Sequence, residues 1–209
     1  MNESQYMSHL PVNQKSRGVS MIEVLVTLVI LSIGLLGLAG LQLTGMRSVN
    51  SASQRTQAAV LIEDISERMR SNITAVDDNL FSAVDSAATI DCSAPPVPYC
   101  SEYFDDTSSA VIPAANCDSS QLASFDISSW YCGIPPSSGS APVGGVQSIL
   151  TDAAATITCV DTDPPSGADT DACTDGSPHT ISLSWNELNP SQPGAATVAQ
   201  NITVTIQPR

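Results

Sequence analysis

The sequence predicts an α+β protein in which one long N-terminal helix packs its second half on a C-terminal antiparallel sheet. Three observations predict it. From Val24 to Met46 no residue is charged. Beyond Met46 a stripe at steps of three and four continues to Ile73, the period of one helix face. In the last third, three segments alternate apolar and polar residues with the period of two that marks a half-buried strand. At 209 residues the chain has room for that helix and one globular domain of ordinary size.

The first element is a polar stretch, residues 1–18, ending in Lys15, Arg17 and Gly18, with one carboxylate, Glu23, five residues after the glycine. About 20 apolar residues at 1.5 Å rise each cross a hydrocarbon core of roughly 30 Å, so Val24–Met46 is long enough to span a bilayer. The order of these parts differs from that of a secretory signal, whose small-residue cleavage site follows the apolar run. Here the glycine precedes it, with the cations on its leading side. Lys15 and Arg17 place the residues after the span outside the cytoplasm by the positive-inside rule. An ionisable group such as Glu23 inside an apolar segment costs several kcal/mol unless it is paired or reaches water, so it is a functional candidate.

This arrangement resembles the class III signal of type IV pilins and pseudopilins. The resemblance implies cleavage by a prepilin peptidase between Gly18 and Val19 and N-methylation of Val19. It also implies that Glu23 pairs with the free amine of a neighbouring subunit and so sets axial register in a filament. Val19 stands where the family usually has Phe.

From Val19 the helix is expected to run to about Ile73, its residues 19–46 forming a transmembrane and assembly half and 47–73 an amphipathic half. The stripe that leads into and along the latter is Leu43, Met46, Val49 or Asn50, Ser53, Gln57, Val60 or Leu61, Ile65, Met69 and Ile73. Glu63 and Glu67 stand at helical spacing from Arg68 and Arg70, where ion pairs contribute a few tenths of a kcal/mol each. Gly34, Gly37 and Gly40 admit two compatible readings: close packing between membrane helices, or a weak helical segment, since Gly costs about 1 kcal/mol against Ala. The wording Ser32–Gln42, S-I-G-L-L-G-L-A-G-L-Q, and the run Thr56–Asn72 with its E-R-M-R-S-N are similar to the minor pilin family PilV, the type IV pilus modification proteins. Leu122–Trp130 and Ile181–Glu187 look like shorter landmarks of the same family.

Residues 74–209 form the head. Between Ser71 and Pro208 there is no Lys or Arg against sixteen Asp and Glu, within a chain of formal net charge −14. Such a surface does not neutralise phosphates, which excludes nucleic acid as a partner. All six cysteines, Cys92, Cys100, Cys117, Cys132, Cys159 and Cys173, lie here. An even count beyond a membrane segment predicts disulfides made in an oxidising compartment. Fifteen pairings are open; the expectation taken is nearest neighbours, 92–100, 117–132 and 159–173. Pro and Gly punctuation makes 74–150 irregular, with one short helix from about Ser119 to Trp130. A β-meander follows over 155–207, its strands near 156–160, 180–185 and 201–206.

No active site is expected. A Ser-His-acid arrangement would need His179, which opens a strand among Thr and Ser and is taken as a surface residue. No C-x-x-C and no phosphate-cradling glycine loop occurs, which leaves zinc and nucleotide chemistry unsupported. Asp161, Asp163, Asp169, Asp171 and Asp175 put five carboxylates in one interstrand loop. They form either a solvated acidic loop or a set of hard oxygen ligands for calcium; their spacing is not that of an EF-hand, and no cofactor is otherwise implied. The resemblance implies a non-enzymatic minor pilin, held in the inner membrane with a periplasmic head and then built into an extracellular type IV pilus, acting in assembly, adhesion or motility. Its implied partners are the prepilin peptidase, other minor pilins and the major pilin. The alternatives are a minor pseudopilin of a type II secretion system, and a single-span anchored domain that binds a ligand or calcium.

Overall fold

The computed structural model describes residues 18–82, 84–85, 90–93, 96–105, 108–134, 143–161, 173–188 and 197–208. The chain divides into two compact units between Gly45 and Met46. A single helix, α1 (Met21–Ser71), runs through both.

In the first unit every residue from Gly18 to Gly45 is exposed, and the apolar stretch of α1 is long and apolar enough to cross a membrane. In the second unit α1 becomes amphipathic and buries Ala58, Leu61, Ile62, Ile65, Ser66 and Met69. The stripe expected from the sequence is therefore right at Leu61, Ile65 and Met69 and out of phase before them: Ser53, Gln57 and Val60 are exposed. From Arg47 to Thr56 the helix has little apolar content to set a phase, and the sheet it meets sets it instead. Arg70 pairs with Glu67 at 2.6 Å as expected, but Arg68 pairs with Asp64 at 3.1 Å and Glu63 stays exposed. α1 ends where Asn72 leaves helical geometry. Its side chain caps the short α2 (Ile73–Asp77) and bonds Ser119 through both amide atoms.

After β1 (Val84–Asp85) come a hairpin of β2 (Tyr103–Asp105) and β3 (Ala110–Ile112), then α3 (Ser119–Cys132). Asp118 starts α3 through a capping box with Gln121, each side chain taking the other's backbone N–H, which satisfies two of the donors a helix start leaves open. β4 (Gly133–Ile134) and β5 (Val143–Gly144) pair tightly, and α4 (Val146–Ile149) follows. A Cβ on Gly133 would fall 2.4 Å from the Val143 carbonyl oxygen, and Gly133 has φ +92°, so the close approach requires glycine. The region expected to be irregular is thus built of short elements.

The sheet is the C-terminal meander: β6 (Ala154–Cys159), β7 (His179–Leu188) and β8 (Thr197–Ile206), with β1 beside β6, all antiparallel in the order β1-β6-β7-β8. Ile157, Ile181, Leu183 and Trp185 point to one face and are buried. They meet the buried stripe of α1 together with Phe81, Trp130, Val146 and Leu150 in one core. The indole N–H of Trp130 donates to the Leu61 carbonyl at 2.8 Å, and Arg68 reaches Asp126 and Ser129 at 3.1 and 3.0 Å. α3 is thereby fixed to α1. The outcome is the α+β architecture expected: an N-terminal helix packed, over its second half, on an antiparallel sheet.

All six cysteines are oxidised, but only Cys159–Cys173 joins nearest neighbours; the others are Cys92–Cys132 and Cys100–Cys117. The expected 92–100 and 117–132 pairs are wrong because the start of α3 is fastened to the segment before β2: Cys100 bonds Cys117, and the Tyr99 ring packs edge-on against Phe125 of α3. That leaves Cys132, at the far end of the same helix, for Cys92.

Candidate assembly site

The N-terminal segment supplies the first set of candidate residues. Gly18, Val19 and Ser20 precede the helix. The Ser20 carbonyl accepts from the backbone N–H of Glu23 at 3.0 Å and of Val24 at 3.3 Å, so Ser20 holds the position just before the first turn. Glu23 sits inside that turn, where open N–H groups and the helix dipole favour a carboxylate. Gly18 and Val19 are exposed and a Cβ on Gly18 would meet nothing. The same is true of Gly34, Gly37, Gly40 and Gly45: nothing among the described residues requires these glycines.

The head holds a second feature that the sequence reading missed. Glu187 is buried on β7 with both carboxylate oxygens engaged: Oε1 accepts from the Trp185 indole at 2.9 Å and Oε2 from the Ser51 hydroxyl at 2.6 Å. Arg55 stands 3.9 Å from the same carboxylate and donates to Gln200 on β8 at 2.7 Å. A buried charge is tolerated when its lone pairs are filled in this way. The cluster fixes the first docked turns of α1 to the sheet. A signal for it exists, because Glu187 is in phase with Ile181, Leu183 and Trp185.

His179 is the other correction. It is 1% exposed, not a surface residue, and it too is in phase with Ile181. Its Nδ1 lies 3.1 Å from the Ser177 carbonyl and its Nε2 3.2 Å from the Ser82 hydroxyl. The carbonyl accepts, so Nδ1 carries the proton and Nε2 accepts from Ser82. Burial holds its pKa below the ordinary value, outweighing the carbonyl contact that favours the charged form. Cys159, Cys173 and His179 bring three ligand-type atoms within 4.8 Å of one another, but the two sulfurs are spent on a disulfide, which leaves one imidazole and no metal-binding set. With no base beside an exposed nucleophile in this arrangement, the histidine is a packed structural group.

Of the acidic loop, Asp163, Asp169 and Asp171 lie outside the described residues. Asp161 and Asp175 are brought toward one end of it by Cys159–Cys173, and Asp161 Oδ1 lies 3.5 Å from the Thr174 amide. Elsewhere in the head, Asp126 is pushed above the ordinary carboxylate value by burial, with Arg68 opposing.

Two family models match the chain. Residues 13–39 match the prokaryotic N-terminal methylation motif, and residues 40–128 match a family described as type IV pilin Tt1218. The first covers Gly18, Val19, Glu23 and the opening of α1; the second covers the rest of α1 and reaches through most of α3. No curated protein and no solved structure matches the chain.

Proposed function

We propose that this chain, a type IV pilin by its methylation motif and pilin domain, is a minor pilin of the PilV kind, made as a precursor and incorporated into a pilus rather than forming its bulk. The observation that carries the reading is the apolar first half of α1, left wholly exposed, preceded by Gly18 and opened by a turn containing Glu23. Exposed apolar surface of that extent needs another solvent or another subunit, and a pilin has both: bilayer before assembly, and neighbouring helices afterwards. The wording of Ser32–Gln42 supports the PilV assignment.

In this reading the prepilin peptidase cuts between Gly18 and Val19 and methylates the amine of Val19. Cleavage leaves Glu23 one helical turn from the new terminus. A carboxylate there attracts the free amine of an adjacent subunit, in this case another minor pilin or the major pilin, and a misregistered pair leaves it uncompensated in an apolar setting, which is costly. The head stays outside the cytoplasm and travels with the helix into the extracellular fibre. Nothing in this sequence of events asks the chain to catalyse a reaction.

The test is the intact mass and N-terminal sequence of the protein isolated from its own host's membranes. A chain beginning at methylated Val19 is expected. A chain retaining residues 1–18, in cells whose other prepilins are processed, would sink the proposal and favour an anchored periplasmic binding domain.

A further inference from the structure

We infer that the outer edge of β8 is a docking site for an extended strand of another polypeptide whose flanks carry Lys or Arg. The two edges of the sheet are built differently. On one side the sheet ends at β1, only two residues long and carrying exposed Asp85. Short length and charge are the devices that keep a sheet edge from pairing further. On the other side it ends at β8, ten residues all in register with β7 from Thr197↔Leu188 to Ile206↔His179. Its sequence, T-V-A-Q-N-I-T-V-T-I, has no charge, no proline and no glycine, and seven of its ten residues are β-branched Val, Ile or Thr, at positions 197, 198 and 202–206. Among the described residues no strand lies outside it.

In an antiparallel pair, alternate residues direct their N–H and C=O away from the partner. One side of β8 thus presents an unpaired ladder of donors and acceptors, the recognition surface used in strand addition. Its side chains are also incompletely covered. Ile202, Val204 and Ile206 pack against the core but remain half-buried, so an added strand with apolar residues in alternation would finish covering them. Charge decides which strand. The head from Ser71 to Pro208 contains sixteen carboxylates and no Lys or Arg. A second copy brings the same excess of negative charge to the contact, whereas a basic-flanked strand is attracted.

The test uses the full chain in detergent and the synthetic strand peptide KKTVTVTVKK as probe, read by amide hydrogen exchange across 197–208. Alternate β8 amides, open in the free chain, are expected to slow by about tenfold or more on saturation. The same peptide with its alternate amides N-methylated should give no protection, and EETVTVTVEE should bind about tenfold or more weakly. Asn201→Lys, on the exposed face of β8, should weaken the KKTVTVTVKK complex while leaving thermal unfolding unchanged. Absence of protection by the lysine peptide, or equal protection by its N-methylated form, would overturn strand pairing. Equal binding of the glutamate peptide would overturn the basic partner. Dimerisation of the chain alone with β8 already protected would make a second copy the occupant, and overturn the inference as stated.

Discussion

Residues Met21–Gly45 and Met46–Ser71 belong to one helix, yet the two stretches obey different rules. The first has Glu23 as its sole charge and exposes every residue. The second carries four arginines and three carboxylates and buries one face, with Ala58, Ile65 and Met69 fully enclosed. A helix that is apolar all round is matched to an apolar surrounding on all sides, and one with a single apolar stripe is matched to a single neighbour. The boundary falls just before Ser51 and Arg55, the first side chains that engage the sheet. The difference teaches that the stability of the head is set by only half of the helix. The other half is free to serve a membrane or a fibre without a cost to folding.

The sharpest way to break this comparison is to truncate one large side chain on each side. Trp130→Ala removes a ring that is 1% exposed and leaves the Leu61 carbonyl without the indole donor. Large-to-small changes of aromatic core residues cost about 3–5 kcal/mol, so denaturant unfolding of the full chain in detergent should lose most of its stability. Leu35→Ala, in the exposed half, should move the same transition by less than about 0.5 kcal/mol. An equal loss from both would show that the halves are not energetically separate.

A smaller effect is expected from the covalent support of the docked half. Cys92–Cys132 spans 40 residues and fastens the end of α3, the helix that carries Trp130 against α1; Cys159–Cys173 spans 14. Replacing Cys92 and Cys132 by Ala should cost about 2–4 kcal/mol, and roughly 1 kcal/mol more than the same change at 159 and 173, since the loop freed is longer. The order of the two unfolding midpoints checks it. The reverse order would mean that local geometry, rather than chain entropy, governs these bridges.

The same contrast explains what was readable in the sequence. The apolar half of α1 and the three strands announce themselves because each has one dominant period, and the α3 start is written in Asp118 and Gln121. Gly18, Val19 and Glu23 are legible as a pattern of spacing around the apolar run. What failed depends on contacts between distant segments. Ser53 and Gln57 fall on the expected stripe yet are exposed, because polar residues give a helix no phase until something packs on it. Cys92 finds Cys132 rather than Cys100 because the start of α3 packs on the segment around Tyr99 and Cys100, a tertiary fact. His179 and Glu187 look like surface residues by type. Their position in phase with Ile181, Leu183 and Trp185 argued otherwise, and period outweighed polarity because Ser82, Ser177, Ser51 and Trp185 satisfy them.

The smallest expected effect is a pH dependence confined to the head. His179 has neutral neighbours in Ser82 and Ser177, with Cys159 and Ile206 opposite it in the sheet. Burial depresses its folded pKa below the ordinary 6.5. Between the depressed value and 6.5 the unfolded chain binds the proton and the folded chain does not, so stability rises with pH across that window. It is fully present above 6.5 and is lost as pH falls through the window to the folded value. Asp126 has the opposite sign: its raised pKa favours the folded state at low pH and withdraws that support as pH rises from 3.8 through the folded value. Comparing wild type with His179→Gln isolates the histidine. Below pH 6.5 the unfolding midpoint of the wild type should fall more steeply with acidification than that of the variant, while Leu35→Ala should track the wild type throughout. Parallel curves for wild type and His179→Gln would show that the imidazole takes up its proton without leaving the fold.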